Sequence, residues 1–199
     1  MDSIEINPKL VQQCQENAKK AGVKQFILIS TTKVFGDSFK NNETLTEVSQ
    51  CNPSDNYGKS KLEAEIGLKK MADSNFIVSV LRTPVVYGEG VKANMLNLIK
   101  LIDKAPFLPF KAIDNRRSIT YVGNIVAILD RLIEKRISGT YIITDPEALS
   151  TSKLTDLIAE SLNKRLFVFR LPYVMRKMLK FILPDLYVRL FDSFELDAS

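Results

Sequence analysis

Histidine is absent from the 199 residues, and cysteine occurs only at Cys14 and Cys51. A chain without histidine cannot form a Ser-His-Asp triad or a Cys-His pair, and it lacks the commonest metal ligand. The two cysteines do not have CxxC spacing, so the sequence supports neither a zinc site nor a disulfide framework. We therefore predict no metal site, and two reduced thiols that are buried or half-buried.

Long apolar runs and clustered charge are also lacking. No apolar stretch approaches the ~20 residues of a membrane-spanning helix, and the N-terminus has no signal-peptide pattern. The 28 basic and 23 acidic residues give a net charge of +5 that is spread along the chain. This mildly basic balance suits small anionic ligands, whereas nucleic-acid binders show clustered basic and aromatic residues. We predict a soluble cytoplasmic protein with no membrane span and no nucleic-acid partner.

Helical and strand patterns alternate along the chain. Residues 7–22 have helical spacing and end at Gly22, and residues 58–72 form a second helix with an apolar stripe of Leu62, Ile66 and Met71. The apolar run 26–29 is typical of a strand buried on both faces of a parallel sheet. Continued alternation to the C-terminus predicts an α/β fold with a mostly parallel sheet.

Two pentapeptides read Tyr-x-x-x-Lys: YGKSK, from Tyr57 to Lys61, and YVMRK, from Tyr173 to Lys177. Positions i and i+4 share one face of a helix, so each pair can point into the same space. Tyrosine ionises near pH 10, and to act as a base near neutrality it needs a shift of roughly three units, about 4 kcal/mol. An adjacent ammonium together with a cationic nicotinamide ring can supply that stabilisation.

Sequence context separates the two pairs. Tyr57 opens a helix after a polar loop, and the hydroxyl-rich segment 30–32 upstream ends a strand where ligand sites of α/β proteins form. Tyr173 follows Pro172 on a basic amphipathic helix, where packing of the ring in the core and a solvated Lys177 are sufficient explanation. We predict that the first pair is functional and that the second is a chance match.

Four motifs, taken in order, resemble extended short-chain dehydrogenases of the nucleotide-sugar epimerase/dehydratase family: ISTTKVFGD, YGKSKLEAE, LRTPVVYGEG and RRSITYVGN. The resemblance implies a Rossmann-like parallel sheet with a small C-terminal substrate-binding lobe. It also implies NAD or NADP as cofactor and a nucleotide sugar as substrate. The family's domain division assigns residues 1–90 and 117–145 to the dinucleotide-binding domain, and residues 91–116 and 146–199 to the lobe.

The resemblance also implies a role for each matching residue near the first pair. Thr31 takes the place of the hydroxyl that hydrogen-bonds the sugar at its reacting carbon, although an ordinary strand-end threonine is the alternative. Tyr57 would be the acid/base, and Lys61 would bind the cofactor ribose and lower the pKa of the tyrosine. Pro84 and its neighbouring backbone would line the nicotinamide.

Four further residues match the family's substrate-binding positions. Asn94 and Arg117 would hold the substrate diphosphate, a role that suits the donor fork of arginine. The choice between Arg116 and Arg117 rests on register alone, and Asn94 could instead cap a helix. Leu108 and Phe110 fall where the family packs the nucleotide base, with plain core packing as the alternative.

Three departures from the family pattern are present. Val85 stands where many sugar 4-epimerases have asparagine, which is closer to a 4-reductase-like branch acting on UDP-N-acetyl amino sugars, and Asn124 replaces an aspartate. The family's Gly-x-x-Gly-x-x-Gly turn, which cradles the cofactor diphosphate, is absent, since the single Gly-x-Gly, Gly88 to Gly90, follows the wrong strand. We therefore expect that the first half of the sheet is missing and that this chain binds NAD(P) poorly alone.

Three functions remain open at this point. The leading one is an NAD(P)-dependent reaction at C4 of a UDP sugar through the Thr-Tyr-Lys site, of the UDP-glucose/UDP-N-acetylhexosamine 4-epimerase or 4-reductase type. The second is a non-catalytic nucleotide-sugar-binding or regulatory module. The third is a membrane-surface or partner-binding protein, prompted by the terminal helix with Arg176, Lys177 and Lys180, although packing of that helix over the lobe is simpler. A homodimer could form through the helices around 7–21 and 57–71.

Overall fold

The computed structural model describes residues 8–37 and 44–197. Within those ranges the helices are α1 (Pro8–Lys20), α2 (Asn56–Met71), α3 (Ala93–Lys104), α4 (Val122–Lys135), α5 (Thr151–Ser161), α6 (Tyr173–Ile182) and α7 (Pro184–Phe191). The strands are β1 (Gln25–Thr31), β2 (Ile77–Thr83), β3 (Val85–Tyr87), β4 (Phe107–Leu108), β5 (Ile119–Tyr121), β6 (Gly139–Ile142) and β7 (Phe167–Val168). The predicted α/β class is confirmed.

All strand pairs of the described sheets are parallel. The main sheet has the order β1-β2-β6, and β1 pairs with β2 over its whole length, from Gln25 opposite Ile77 to Thr31 opposite Thr83. Strand β3 pairs with β5, and β4 pairs with β7. Parallel pairing carries the carboxyl ends of neighbouring strands to one edge of a sheet, so Thr31 and Thr83 end side by side.

Burial differs between the first two strands. Strand β2 lies between β1 and β6, and all its residues after Ile77 are buried. In β1 only Ser30 is buried, and Ile29 is 46% exposed. The prediction that residues 26–29 are buried on both faces is therefore wrong, because β1 is an edge strand of the described sheet and its side chains are only partly covered.

Helix α1 packs against α2. Gln15 is fully enclosed between them, and its Nε2 donates to the carbonyl of Ala64 at 3.3 Å. Because Gln15 takes the inner side of α1, the neighbouring Cys14 is exposed, and the prediction that both thiols are at least half-buried is wrong for Cys14. Cys51 is half-buried. Dimerisation through these two helices stays a prediction.

The residues that the sequence analysis assigns to the lobe share a hydrophobic core, and the domain division itself stays a prediction. Its buried members come from α3, β4, the loop that follows β4, α5 and α7: Ile102, Leu108, Phe110, Ile113, Ala159 and Phe191. The segment after α7 returns to the sheet, where Phe194 and Leu196 pack with Val34, Phe35 and Ile142. The C-terminal tail thus ties the lobe to the sheet.

Helix α6 does not pack as the sequence predicts. None of its residues is buried, and Tyr173 is 75% exposed. The expected packing of the Tyr173 ring in the core is wrong, because the helix directs Leu179 rather than Tyr173 toward the lobe core. Across residues 8–37 and 44–197, no helix combines the length and apolarity needed to cross a bilayer.

Candidate active site

The site forms where β1 and β2 end. Thr31 closes β1, and its Oγ1 accepts a hydrogen bond from the backbone N–H of Lys33 at 3.3 Å, which starts a 3₁₀ turn over residues 32–35. Opposite Thr31, the hydroxyl of Thr83 donates to the carbonyl of Ser30 at 3.2 Å. Pro84 follows directly, so Thr31 and Pro84 lie at the same edge of the sheet.

The first turn of α2 rests directly on this 3₁₀ turn. Asp55 caps the helix, and its Oδ1 accepts from the N–H of Gly58 at 2.7 Å. Gly58 is buried, and a Cβ added there would lie 2.6 Å from the carbonyl oxygen of Lys33. Only a residue without a side chain permits this approach, which holds Tyr57 beside the turn that Thr31 begins.

Lys61 reaches back from α2 to the same strand. Its Nζ donates to the carbonyl of Ile29 at 3.1 Å and lies 5.9 Å from the centroid of the Tyr57 ring. Burial lowers the pKa of Lys61, and the charge of Glu65 opposes this shift. The structure thus brings Thr31, Tyr57 and Lys61 together around the carboxyl end of β1.

The geometry of the pair itself does not distinguish the two pentapeptides. Lys177 Nζ lies 6.0 Å from the Tyr173 ring centroid, almost the same separation as between Lys61 and Tyr57. The difference is the surroundings, because Lys61 is anchored to the carbonyl of Ile29 and α2 is seated on the strand end.

Electrostatics around Tyr57 favour its neutral form. Burial raises the pKa of Tyr57, Asp55 raises it further, and the charge of Lys33 lowers it. The side chain is 40% exposed. A tyrosine that acts as a base near neutral pH needs a lowered pKa, whereas the surroundings in this chain raise the pKa of Tyr57. The nearby cation that opposes this increase is Lys33.

Lys33 forms a charge network that the sequence analysis missed. Its ammonium donates to Asp37 Oδ1 at 2.8 Å and to Asp55 Oδ2 at 2.6 Å, and Ser54 donates to Asp37. Burial alone would lower the pKa of Lys33, but the two carboxylates outweigh it and raise the value. The helix-cap signal of an aspartate just before Tyr57 could have revealed Asp55.

A buried ion pair, which the sequence analysis also missed, connects the elements that carry the site. Glu65 and Arg82 are 1% and 4% exposed, and Arg82 Nη2 donates to Glu65 Oε2 at 2.7 Å. The hydroxyl of Ser30 donates to Glu65 Oε1 at 2.5 Å. These bonds join α2 to β1 and β2 one helical turn after Lys61, and the i+4 spacing from Lys61 was the available signal.

The residues predicted to bind substrate lie in the lobe and along its border with the sheet. Asn94 is exposed in the first turn of α3, whose cap position is Lys92, so Asn94 does not cap that helix. Leu108 and Phe110 are each 5% exposed within the lobe core. The contacts among the described residues do not join these three to Tyr57, and their roles in binding stay predictions.

The structure distinguishes Arg117 from Arg116. Arg117 Nη1 donates to the carbonyls of Val188 at 3.2 Å and Asp192 at 2.9 Å, at the end of α7. Burial lowers the pKa of Arg117, while the charges of Asp192 and Asp37 raise it. Arg116 is exposed and forms an ion pair with Glu195. Asp37, whose charge acts on Arg117, also belongs to the Lys33 network.

Val85 and Asn124, the two residues that differ from the family pattern, lie close to β3. Val85, the first residue of β3, is partly exposed beside Pro84. Asn124 Nδ2 donates to Asp145 Oδ1 at 2.8 Å, and the same carboxylate accepts from the hydroxyl of Tyr87 at 2.7 Å. Asn124 therefore orients Asp145 between β3 and the start of α4.

Comparison with known proteins identifies the family to which these motifs point. Residues 1–143 match the model of the NAD dependent epimerase/dehydratase family. The UDP-glucose 4-epimerase of Vibrio cholerae is 32% identical over 98% of this chain and 61% of the relative. The N-acetyl-alpha-D-glucosaminyl-diphospho-ditrans,octacis-undecaprenol 4-epimerase of Escherichia coli O157:H7 is 32% identical over 78% of this chain and 47% of the relative.

A solved structure supports the fold. The UDP-glucuronic acid 4-epimerase of Bacillus cereus, in complex with NAD, superposes with a TM-score of 0.69 at 23% identity, covering 81% of this chain and 54% of that one. The chain therefore spans between about half and three fifths of the length of these proteins.

Proposed function

The chain belongs to the NAD-dependent epimerase/dehydratase family, and from this premise we propose that it acts at C4 of a UDP sugar through Thr31, Tyr57 and Lys61, with NAD or NADP. The observation that supports this most directly is the seating of α2 on the end of β1, where Gly58 touches the carbonyl of Lys33. That contact brings a hydroxyl, a phenol and an ammonium to one sheet edge.

Each of the three side chains has a distinct task in this proposal. Tyr57 removes the proton from the C4 hydroxyl of the sugar, and it returns a proton in the reverse direction. Thr31 hydrogen-bonds the same sugar oxygen and orients it toward the phenol. Lys61 would add its charge to that of Lys33, the cation that lowers the pKa of Tyr57, and both would stabilise the phenolate. A bound nicotinamide supplies the hydride chemistry.

The residues present fit one end of a dinucleotide. Lys61 donates one of the three N–H groups of its ammonium to the carbonyl of Ile29, which leaves two for ribose hydroxyls. Pro84 adds an apolar surface at the neighbouring strand end. The diphosphate end is different, because the sequence contains no glycine-rich turn of the kind that binds it. Lys61 and Pro84 are thus the residues that would hold the cofactor.

The decisive experiment replaces Tyr57 by phenylalanine in this chain joined to a dinucleotide-binding half that carries a Gly-x-x-Gly-x-x-Gly turn. Interconversion of UDP-glucose and UDP-galactose, and of their N-acetyl forms, is measured with NAD. We expect Tyr57→Phe to lower kcat by about 10²–10⁴, with sugar-nucleotide binding retained.

The second pentapeptide provides a matched control. Tyr173→Phe removes the same hydroxyl from a tyrosine with the same lysine spacing, and turnover is expected to stay at the parent level. Equal turnover of Tyr57→Phe and the parent would reject the catalytic assignment.

A non-catalytic sugar-nucleotide-binding module is the second candidate. The raised pKa of Tyr57 favours it, because a neutral phenol is a poor base near pH 7. Under this alternative, UDP sugars bind to the fused protein in calorimetry, yet no turnover appears in the parent or in either variant.

A further inference from the structure

Helix α6 has the reverse of the usual surface arrangement. Its basic side covers aromatic rings of α7: the Arg176 guanidinium carbon lies 4.5 Å from the Phe191 ring centroid, and Lys180 Nζ lies 5.1 Å from that of Tyr187. Its apolar side is open, with Phe181 89% exposed. The other members of this open side are each more than half exposed: Val174, Met175, Met178 and Ile182.

These five side chains form one continuous surface, called here the α6 apolar face. At 100° per residue they occupy an arc of about 120°, and the bases Arg176, Lys177 and Lys180 fill most of the opposite arc. Leu183 and Leu186, about half exposed at the start of α7, follow directly along the chain. A monomeric soluble protein seldom leaves such a continuous apolar surface exposed, so this face is built to be covered.

The charge of the sequence around α6 indicates what covers the face. Residues 164–184 contain six bases and no acid: Lys164, Arg165, Arg170, Arg176, Lys177 and Lys180. In a two-fold dimer through α6 the same patch would meet itself, which places like charges together without a carboxylate from this segment between them. An anionic lipid surface presents the opposite charge next to an apolar layer.

We propose that α6 lies in the plane of an anionic membrane surface, with the α6 apolar face inserted at the boundary between headgroups and acyl chains and with Lys177, the base that flanks this face beside Phe181, at the lipid phosphates. The ten residues of α6 are about 15 Å long, which suits an interfacial position and is too short to span. This inference is independent of the proposed chemistry at Tyr57, and it concerns the opposite side of the α6 helix from α7.

Vesicle flotation with the whole chain tests the proposal. Wild type is expected to float with vesicles of mixed phosphatidylcholine and phosphatidylglycerol, to float much less with pure phosphatidylcholine, and to be released by high salt. The double variant Met178→Asp/Phe181→Asp is expected to bind at least about tenfold more weakly, because charge is placed at the centre of the inserted face. Lys177→Gln is expected to reduce the preference for phosphatidylglycerol.

Helix α4 offers a matched control. Val126 and Ile133 are also more than half exposed, so Val126→Asp/Ile133→Asp adds the same charge to exposed apolar positions elsewhere. Vesicle binding by this variant is expected to equal that of wild type. Circular dichroism melts of both double variants establish that folding is retained.

A spectroscopic probe gives an independent readout because the chain contains no tryptophan. In Phe181→Trp the added indole is the sole tryptophan emitter, and its emission is expected to shift to the blue when phosphatidylglycerol vesicles are added. Val126→Trp is expected to show no shift. Unchanged emission from Phe181→Trp, or a lipid-free dimer that Met178→Asp/Phe181→Asp dissociates while wild type fails to float, would overturn the proposal.

Discussion

At the scale of single residues, the hydroxyl of Tyr87 links the stability of the fold to pH. It donates to Asp145 Oδ2 at 2.7 Å, and this hydrogen bond, with burial adding to it, raises the pKa of Tyr87 to about 12 from an ordinary value of 10.0. Below pH 10 the phenol is protonated in both folded and unfolded chains, so the stabilisation is complete. Between pH 10 and about 12 the unfolded chain loses this proton first, and the stabilisation disappears.

We therefore expect the free energy of unfolding to fall by about 1–2 kcal/mol across that interval because of Tyr87. The fall is smaller than the full pKa shift implies because the Tyr87–Asp145 pair is partly exposed to solvent. Denaturant titrations at several pH values measure the fall. Tyr87→Phe should be less stable than wild type at pH 9 and should lose less stability above pH 10. Tyr173→Phe, which alters an exposed ring, is the control, and an identical pH profile for Tyr87→Phe and wild type would refute the assignment.

At the scale of elements, the position of α2 depends on the absence of a side chain at Gly58. An added Cβ would lie 2.6 Å from the Lys33 carbonyl oxygen and 3.0 Å from Pro53 Cβ, and neither neighbour is the end of a flexible side chain. Gly58→Ala must push the first turn of α2 away from the strand end. We expect a loss of about 1–3 kcal/mol in the free energy of unfolding, measured by urea titration.

Gly67, in the same helix, provides the comparison. A Cβ there would meet only Gln15 Oε1 at 3.7 Å, an ordinary contact. Gly67→Ala should therefore stabilise the chain by about 0.5–1 kcal/mol through helix propensity. If Gly58→Ala proved as stable as Gly67→Ala, the close seating of α2 would not be required.

Sequence patterns predicted the elements better than their burial. Alternating periodicities located α2 and the main strands, yet of the expected stripe Ile66 is 46% exposed, and Leu62 and Met71 are only partly buried against neighbouring core clusters. The structure buries Ala64, Glu65 and Leu68 instead. The reason is the Glu65–Arg82 ion pair, which turns a charged residue inward. Helical spacing can point to Glu65, but it cannot identify Arg82, a partner on another element.

The candidate site shows the same limit. Sequence context, with a strand-end hydroxyl upstream, favours Tyr57 and Lys61 over the second pentapeptide, and this assignment stays a prediction. The structure places the first pair near the strand end that carries Thr31. The carboxylates that hold Lys33 depend on how the 3₁₀ turn meets α2, which is tertiary geometry. The anchoring of Arg117 to carbonyls at the end of α7 likewise depends on a contact across more than seventy residues.

At the scale of the whole molecule, binding of the dinucleotide needs residues for its nicotinamide end and residues for its diphosphate. The sequence offers candidates for the first but no glycine-rich turn for the second. In the proposed site Lys61 and Pro84 would meet the nicotinamide ribose, whereas none of the eight glycines belongs to a Gly-x-x-Gly-x-x-Gly turn. Most of the fixed dipole that attracts a dinucleotide diphosphate comes from such a turn at a helix N-terminus. We therefore expect calorimetry to give a dissociation constant above about 1 mM for NAD and the 199-residue chain.

Two comparisons make this last prediction specific. Joining the chain to a glycine-rich half should restore binding by at least about a hundredfold, since the diphosphate then gains its partners. In that fused protein Lys61→Met should weaken NAD binding, and Lys177→Met, in the second pentapeptide, should leave it unchanged. A micromolar dissociation constant for NAD and the 199-residue chain would mean that its own residues hold the diphosphate. The inference that this chain binds only the nicotinamide end would then be wrong.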